Sequence, residues 1–229
     1  MGTADLLASL ELDITACRRC PRLVAWREQV SRERRRAYLN QEYWGLPVPG
    51  WGDPEARLLV VGLAPAAHGA NRTGRLFTGD ASGDFLFAAL HRVGFASQPV
   101  SSGCQDGLRL HGIFITAACR CAPPENAPTP AELEACLPFL IREFELLPRV
   151  QGVVALGQVA LRAVVATWRK QGWAIPRPVF GHARWLQSGP GLPWLLASYH
   201  PSRQNTQTGR LSPEQFDRVW RLARDRLEG

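Results

Sequence analysis

The chain predicts an α/β fold, a three-layer αβα sandwich around a central, mostly parallel four-stranded sheet. Three observations carry this. Four short apolar runs, Leu58–Val61, Gly112–Ala117, Val153–Leu156 and Trp194–Ser198, read as strands buried on both faces. Stretches of helical periodicity separate them. The connections are too long for hairpins, so crossovers return each strand in the same direction. All four strand exits then share one edge, which is where open α/β sheets bind ligands.

Taken in order, residues 3 to 16 form a short amphipathic helix through Leu6, Leu7 and Leu10, leading into Cys17-Arg18-Arg19-Cys20-Pro21. A second helix from Leu23 to about Tyr38 is rich in Arg and Glu, and its run Arg32 to Arg36 reads as a solvated face. Trp44 to Pro54 is punctuated by Gly and Pro and reads as loop. After the first strand comes the long stretch Gly62 to Gly83, G-L-A-P-A-A-H-G-A-N-R-T-G-R-L-F-T-G-D-A-S-G. Ser82 then opens a helix whose Phe85, Leu86, Ala89 and Leu90 share one face.

A Gly/Ser-rich connection containing Cys104 leads to the second strand, which runs into Cys119-Arg120-Cys121-Ala122-Pro123-Pro124-Glu125-Asn126. Thr129-Pro130-Ala131-Glu132 is a capping box with proline at the first helical position. Leu133, Leu137, Leu140 and Phe144 form the apolar face that follows, with a kink expected at Pro138. Gly157 turns the third strand into a helix with Leu161, Val164, Val165 and Trp168 inward. A Pro/Gly-rich segment from 172 to 193 includes Phe180-Gly181-His182. The fourth strand ends at Tyr199-His200-Pro201-Ser202-Arg203. Ser212-Pro213-Glu214-Gln215 caps a last helix packed through Phe216, Val219, Trp220 and Leu227.

At 229 residues the chain fits one domain, residues 1–229, with a helical N-terminal segment of about 1–50. No 18-residue apolar span or charged-then-apolar leader occurs, so a soluble, cytoplasmic protein with no membrane partner is expected. The net charge of +7 is carried mainly by arginine, whose geometry suits phosphate, so an anionic polymer is a natural partner. A nucleotide hydrolase would want a phosphate loop ending in Gly-Lys-Ser or Gly-Lys-Thr, and the chain has none.

Six cysteines without an export signal argue for a metal site or redox chemistry before disulfides. Cys17 and Cys20 form a C-x-x-C pair, while Cys121 and Cys136 lie before and within one helix. Four such thiolates can converge on one metal centre. Count alone leaves zinc and an iron–sulfur cluster both open, and Cys119 could replace Cys121. The glycine loop is the other focus. Its glycines let the backbone approach a ligand closely, and a loop of this length inside a compact domain is usually functional.

With these pieces placed, the sequence resembles the uracil-DNA glycosylase superfamily, specifically its family 5 iron–sulfur branch. The carrying motifs are C-R-R-C at 17 to 20, G-L-A-P-A at 62 to 66, G-R-L-F-T-G-D at 74 to 80, R-C-A-P-P-E-N at 120 to 126, A-C-L-P-F at 135 to 139 and H-P-S-R-Q-N-T-Q-T-G-R at 200 to 210. The resemblance implies a structural four-iron, four-sulfur cluster on Cys17, Cys20, Cys121 and Cys136. It implies that Phe77 stacks on the extruded base, that Gly62, Leu63, Ala64 and Pro65 line the sugar, and that His200-Pro201-Ser202 presses into the duplex. Leu63 stands where related families often carry a polar residue that handles water, and Ala117 where a neighbouring family carries a uracil-reading asparagine. Without that reader, discrimination relaxes, and a wider range is expected: uracil, and also hypoxanthine and other damaged bases.

The chemistry expected of such a site is hydrolysis of an N-glycosidic bond after base flipping. Asp80 holds or polarises the water, His200 and loop amides stabilise the leaving base, and Asn126 orients base or water. Each has a plainer alternative: Asp80 as a helix cap, His200 as a brace for its turn, Asn126 as a turn residue. His68 is a second candidate donor. Arg75, Arg203 and Arg210 are expected to contact phosphate with Pro201, Ser202, Asn205 and Thr208. The partner is then DNA, double-stranded with a damaged base, met by a monomer at the nucleoid. A non-enzymatic iron–sulfur or zinc module binding nucleic acid is the competing reading.

Overall fold

The computed structural model describes residues 2–186 and 188–229. Its helices are α1 Thr3–Thr15, α2 Pro21–Glu33, α3 Ala70–Thr73, α4 Ala81–Arg92, α5 Pro130–Leu146, α6 Gln158–Lys170, α7 Arg203–Gln207 and α8 Pro213–Glu228. The strands are β1 Trp51–Gly52, β2 Leu58–Gly62, β3 Ile113–Ala117, β4 Gly152–Leu156, β5 Arg184–Leu186 and β6 Trp194–Ser198, in the sheet order β1-β3-β2-β4-β6-β5.

The four apolar runs form the parallel centre of this sheet. Two short antiparallel strands, β1 and β5, extend it to six at its edges. Both lie in segments whose Gly and Pro content reads as loop, and at two and three residues they are too short to leave a periodic signal. Alternation along β2 sends Leu58 and Val60 to one face with Leu86, Leu90, Phe216 and Trp220 of α4 and α8. Leu59 and Val61 face α5 and α6 through Leu140, Leu161, Val164 and Trp168. Covering both faces this way makes the three layers expected of the pattern.

A third, smaller apolar cluster joins Leu10 and Ile14 of α1, Leu23 of α2 and Phe139 of α5 to the cysteines. Helix α2 stops at Glu33, short of the expected Tyr38, because Arg34 takes a left-handed φ of 50°. A 3₁₀ turn at Arg36–Tyr38 follows, and the Arg32 to Arg36 run is exposed. Among the described residues no helix is long and apolar enough to cross a membrane.

Candidate active site and cysteine centre

The glycine loop leaves β2 and folds back over the C-terminal edge of the sheet. Its first residues prolong the ladder: Ala118 N donates to Gly62 O at 3.0 Å and Cys119 N to Leu63 O at 3.0 Å. Gly62 and Ala117 are buried register partners at the strand ends. Ala64 packs against the cysteine cluster and Pro65 is buried. Phe77 follows in a left-handed backbone (φ 54°), uncommon for a residue with a side chain. Two glycines make room for it. A Cβ on Gly62 would lie 2.7 Å from the Phe77 ring, and one on Gly83 would lie 1.8 Å from the Phe77 carbonyl oxygen.

Asp80 is the N-cap of α4. One carboxylate oxygen, Oδ1, accepts from Ser82 N at 2.9 Å and Gly83 N at 3.0 Å, satisfying helix donors that would otherwise be orphaned. The capping reading is thus realised, two residues earlier than Ser82, but it uses half of the carboxylate. Oδ2 lies against the bare Cα of Gly69 and accepts no protein hydrogen bond among the described residues. Burial raises the Asp80 carboxyl above its ordinary value, against the two amide bonds and the nearby Arg203 charge.

His200 leaves the end of β6 and stacks on Phe77, with ring centroids 5.9 Å apart and planes 28° from parallel. Burial pushes its imidazole down to about 4, so it is neutral near pH 7. Asn205 Nδ2 donates to the His200 carbonyl at 2.8 Å, pinning the turn from within. Its neighbour Tyr199 is braced by His182, stacked at 5.0 Å.

Phe77 therefore meets His200 and Gly62 at the sheet edge, where Ala117 is the register partner of Gly62, and Asp80 borders the same loop through Gly69 and Gly83. Asn126 is exposed on the β3 exit, in a left-handed backbone (φ 56°), and among the described residues it makes no side-chain hydrogen bond to this group. One expected phosphate contact is corrected. Arg75 is buried; it donates to Thr78 Oγ1 at 3.1 Å and Ser101 Oγ at 2.7 Å, pairs with the half-buried Asp106 and lies over Trp51. Asn205 is half-buried, with Nδ2 on the His200 carbonyl. Ser202 caps α7, Pro201 is buried, and Thr208 Oγ1 bonds to Gln204 O. Arg203 and Arg210 are exposed, Arg210 lying 4.4 Å over the Tyr199 ring.

The N-terminal segment holds the loop from outside, through contacts between residues too far apart in sequence to be paired by pattern. Tyr43 Oη and His68 Nδ1 are 2.9 Å apart, Trp44 N donates to Arg72 O at 2.9 Å, and Gly45 N to Asn71 O at 3.0 Å. Arg72 also lies 4.1 Å over Tyr38. The buried Asn71 Nδ2 donates to Arg27 O at 3.3 Å. Repeated small and polar residues in G-A-N-R-T-G were the one available signal.

Arg27 also reaches the cysteines. Its fully buried guanidinium donates to Cys121 Sγ at 3.3 Å. Arg120 N donates to Cys136 Sγ at 3.4 Å. Cys17, Cys20, Cys121 and Cys136 all border the third cluster, together with buried Cys119. Cys104 is exposed and apart, its Sγ bonding to Thr73 O. Burial pushes the Cys121 thiol up to about 12 against the Arg27 charge. The same cause raises Cys20, helped by Cys136 and Cys17 close by. Among the described residues no three His, Cys, Asp or Glu side chains gather tightly enough to hold a single metal ion.

The family model described as "Uracil DNA glycosylase superfamily" matches residues 49–224. The chain is 56% identical over 216 residues to a protein of Thermus thermophilus named type-5 uracil-DNA glycosylase, covering 94% of this chain and 95% of that one. A Mycobacterium tuberculosis protein of the same name is 52% identical, covering 97% and 82%. One from Pyrobaculum aerophilum is 46% identical, covering 90% and 87%.

Proposed function

The chain belongs to the uracil-DNA glycosylase superfamily, and from that premise we propose that it is a hydrolytic DNA repair enzyme. It turns a uracil nucleotide out of DNA and hydrolyses the N-glycosidic bond, leaving an abasic site. The observation that carries this is the divided Asp80 carboxylate: Oδ1 is fixed by the α4 amides while Oδ2 is free beside Gly69. A fixed, half-engaged carboxylate can hold a water and stabilise positive charge at the sugar without reorganising.

In the reaction a water oxygen bonds to C1′ as the C1′–N bond breaks, the base departs with the bonding pair, and the proton the water sheds passes through solvent to the departed base. Asp80 Oδ2 orients that water and faces the developing oxocarbenium charge. His200, being neutral, donates a hydrogen bond to the anionic base oxygen without surrendering a full proton. Phe77 offers its ring to the extruded base, with Gly62, Leu63, Ala64 and Pro65 against the sugar. Asn126, exposed at the β3 exit, orients base or water once DNA is bound. Arg203 and Arg210 meet phosphates, Pro201 and Ser202 form the turn that presses into the duplex, and Thr208 stands beside it. Ala117 has no hydrogen-bonding group, so the wrong base leaves no buried donor unpaired. Uracil, hypoxanthine and other deaminated bases all become substrates.

For the cysteines the reading is a four-iron, four-sulfur cluster on Cys17, Cys20, Cys121 and Cys136. The donor set suits it: four thiols border one cluster of buried side chains, and Arg27 and the Arg120 amide aim donors at two of the sulfurs, which favours thiolate. When bound, the group supplies no step of the hydrolysis; it crosslinks the N-terminal helices of the single domain to α5 and the β3 exit. The protein acts as a monomer on duplex DNA in the cytoplasm, at the nucleoid.

The test is single-turnover cleavage of duplexes carrying one uracil, hypoxanthine or thymine, with alkali to reveal abasic sites. Abasic product from uracil and hypoxanthine is expected, and Asp80→Asn loses turnover while keeping DNA affinity. DNA binding with no product from any duplex would leave the non-enzymatic binding module as the reading.

A further inference from the structure

The outer face of α6 and the segment 177–180 enclose a groove of about 1200 Å³ that the site above does not use. Its walls carry Arg162, Arg169, Lys170 and Arg177 over Val179 and Phe180, and no Asp or Glu lines it. Arg162 and Arg177 are exposed, and neither has a carboxylate within 4.0 Å among the described residues. Arg169 braces the wall by donating to Ile175 O at 2.7 and 3.0 Å. Lys170 stands 3.6 Å from Glu134 with both side chains more than half exposed, a pair too solvated to cancel its field. Val179 is 59% exposed in the groove, an apolar surface with nothing of this chain upon it.

The groove is continuous with the catalytic edge. Gln158 at its upper end follows Gly157, which donates to Ser198 O at 2.8 Å and lies beside His200. Phe180 in its wall packs on Tyr199, the residue before His200, at 5.9 Å. From Arg162 to Arg169 along the helix is about 10 Å, roughly three steps of a B-form strand.

We propose that this groove carries the DNA flanking the target nucleotide, with Arg162 and Arg177 on backbone phosphates and Val179 and Phe180 against the sugars. The occupant is DNA because the groove opens beside the residues assigned to the flipped nucleotide and its unpaired charge is of one sign. An acidic peptide would match the same charge but has no reason to abut His200. The proposal rests on the glycosylase reading for its ligand, but its readout is binding, so the two fail separately.

The experiment compares wild type with Arg162→Gln/Arg177→Gln in binding to a duplex holding a non-hydrolysable abasic analogue, titrated with salt. Losing two phosphate contacts lowers the slope of log K against log salt by about 1.8 and weakens binding at every salt concentration tested. A control removes two charges from α8 on the other face of the sheet, Arg218→Gln/Arg221→Gln, and should leave the slope unchanged. An unchanged slope and affinity in the groove variant overturns the proposal, as does an equal fall in the α8 control. If wild type binds the duplex but releases no base from uracil DNA, the glycosylase reading has failed while the groove comparison still stands.

Discussion

Gly69→Ala tests the geometry on which the chemistry depends. The substituted residue itself takes no part in the reaction. The φ of Gly69 is −100°, so the new side chain meets no left-handed backbone strain. Its Cβ would stand 2.1 Å from Asp80 Oδ2 and 2.9 Å from Cγ, where ordinary contact begins near 3.4 Å. Oδ2 must therefore retreat by more than an ångström. It cannot swing away alone, because the planar carboxylate carries Oδ1 with it, and Oδ1 holds Ser82 N and Gly83 N. A misplacement of this size costs on the order of 10²-fold in rate, about 2.7 kcal/mol of activation free energy. The assay is single-turnover release of uracil at saturating enzyme, with binding to uracil-free DNA and a thermal melt alongside. The expected pattern is a hundredfold slower rate with DNA affinity retained. A rate within twofold of wild type in a folded variant would refute the placement of Asp80 as the water-holding group.

Other outcomes follow from the same geometry. Because burial raises the Asp80 carboxyl, the cleavage rate should begin to fall at a higher pH than an ordinary aspartate would dictate, and a pH–rate profile reads this directly. His200 gives a stability signature. Its folded pKa of about 4 lies below the unfolded value near 6.5, so between those values the unfolded chain binds a proton that the folded one refuses. Stability contributed by neutral burial is thus full above pH 6.5 and lost toward pH 4, by up to roughly 3 kcal/mol; urea unfolding of wild type and His200→Gln across that range should differ in slope. Arg75→Ala removes the cation from half-buried Asp106, which keeps its amide donors from Ser102 and Leu108, and should cost about 1–3 kcal/mol in chemical denaturation, with no change in the salt dependence of DNA binding. Asn205→Ala frees the His200 carbonyl; a loss of about 1 kcal/mol in stability and a slower single-turnover rate are expected, whereas weakened DNA affinity with an unchanged rate would mark Asn205 as a DNA contact after all.

The parallel strands were legible because burial on both faces makes each a continuous apolar run, and the capping boxes at Thr129 and Ser212 were legible because their chemistry is local. What escaped was non-local or too short. Nothing near Arg75 announces Asp106, thirty-one positions away, so its charge reads as surface. Arg34 turns left-handed without a glycine to mark it, and the helix-favouring Arg/Glu run around it points the other way. For Asp80 the sequence posed a choice between cap and catalyst; the structure shows the cap, made by Oδ1 alone. Cys17, Cys20, Cys121 and Cys136 border one apolar cluster, but buried Cys119 lies in it too, so packing does not separate the two candidates that spacing left open.

The contacts from α2 and the 38–45 segment to α3 bear on how small this protein can be made. A fragment beginning at residue 46 keeps every strand of the sheet and both of its helical layers. It lacks the carbonyl that receives Asn71, the hydroxyl paired with His68, and the amides that hold Asn71 O and Arg72 O. The minimal folding unit and the minimal working unit are accordingly different lengths of chain. A truncation series followed in parallel by circular dichroism and by base release should lose the second signal well before the first.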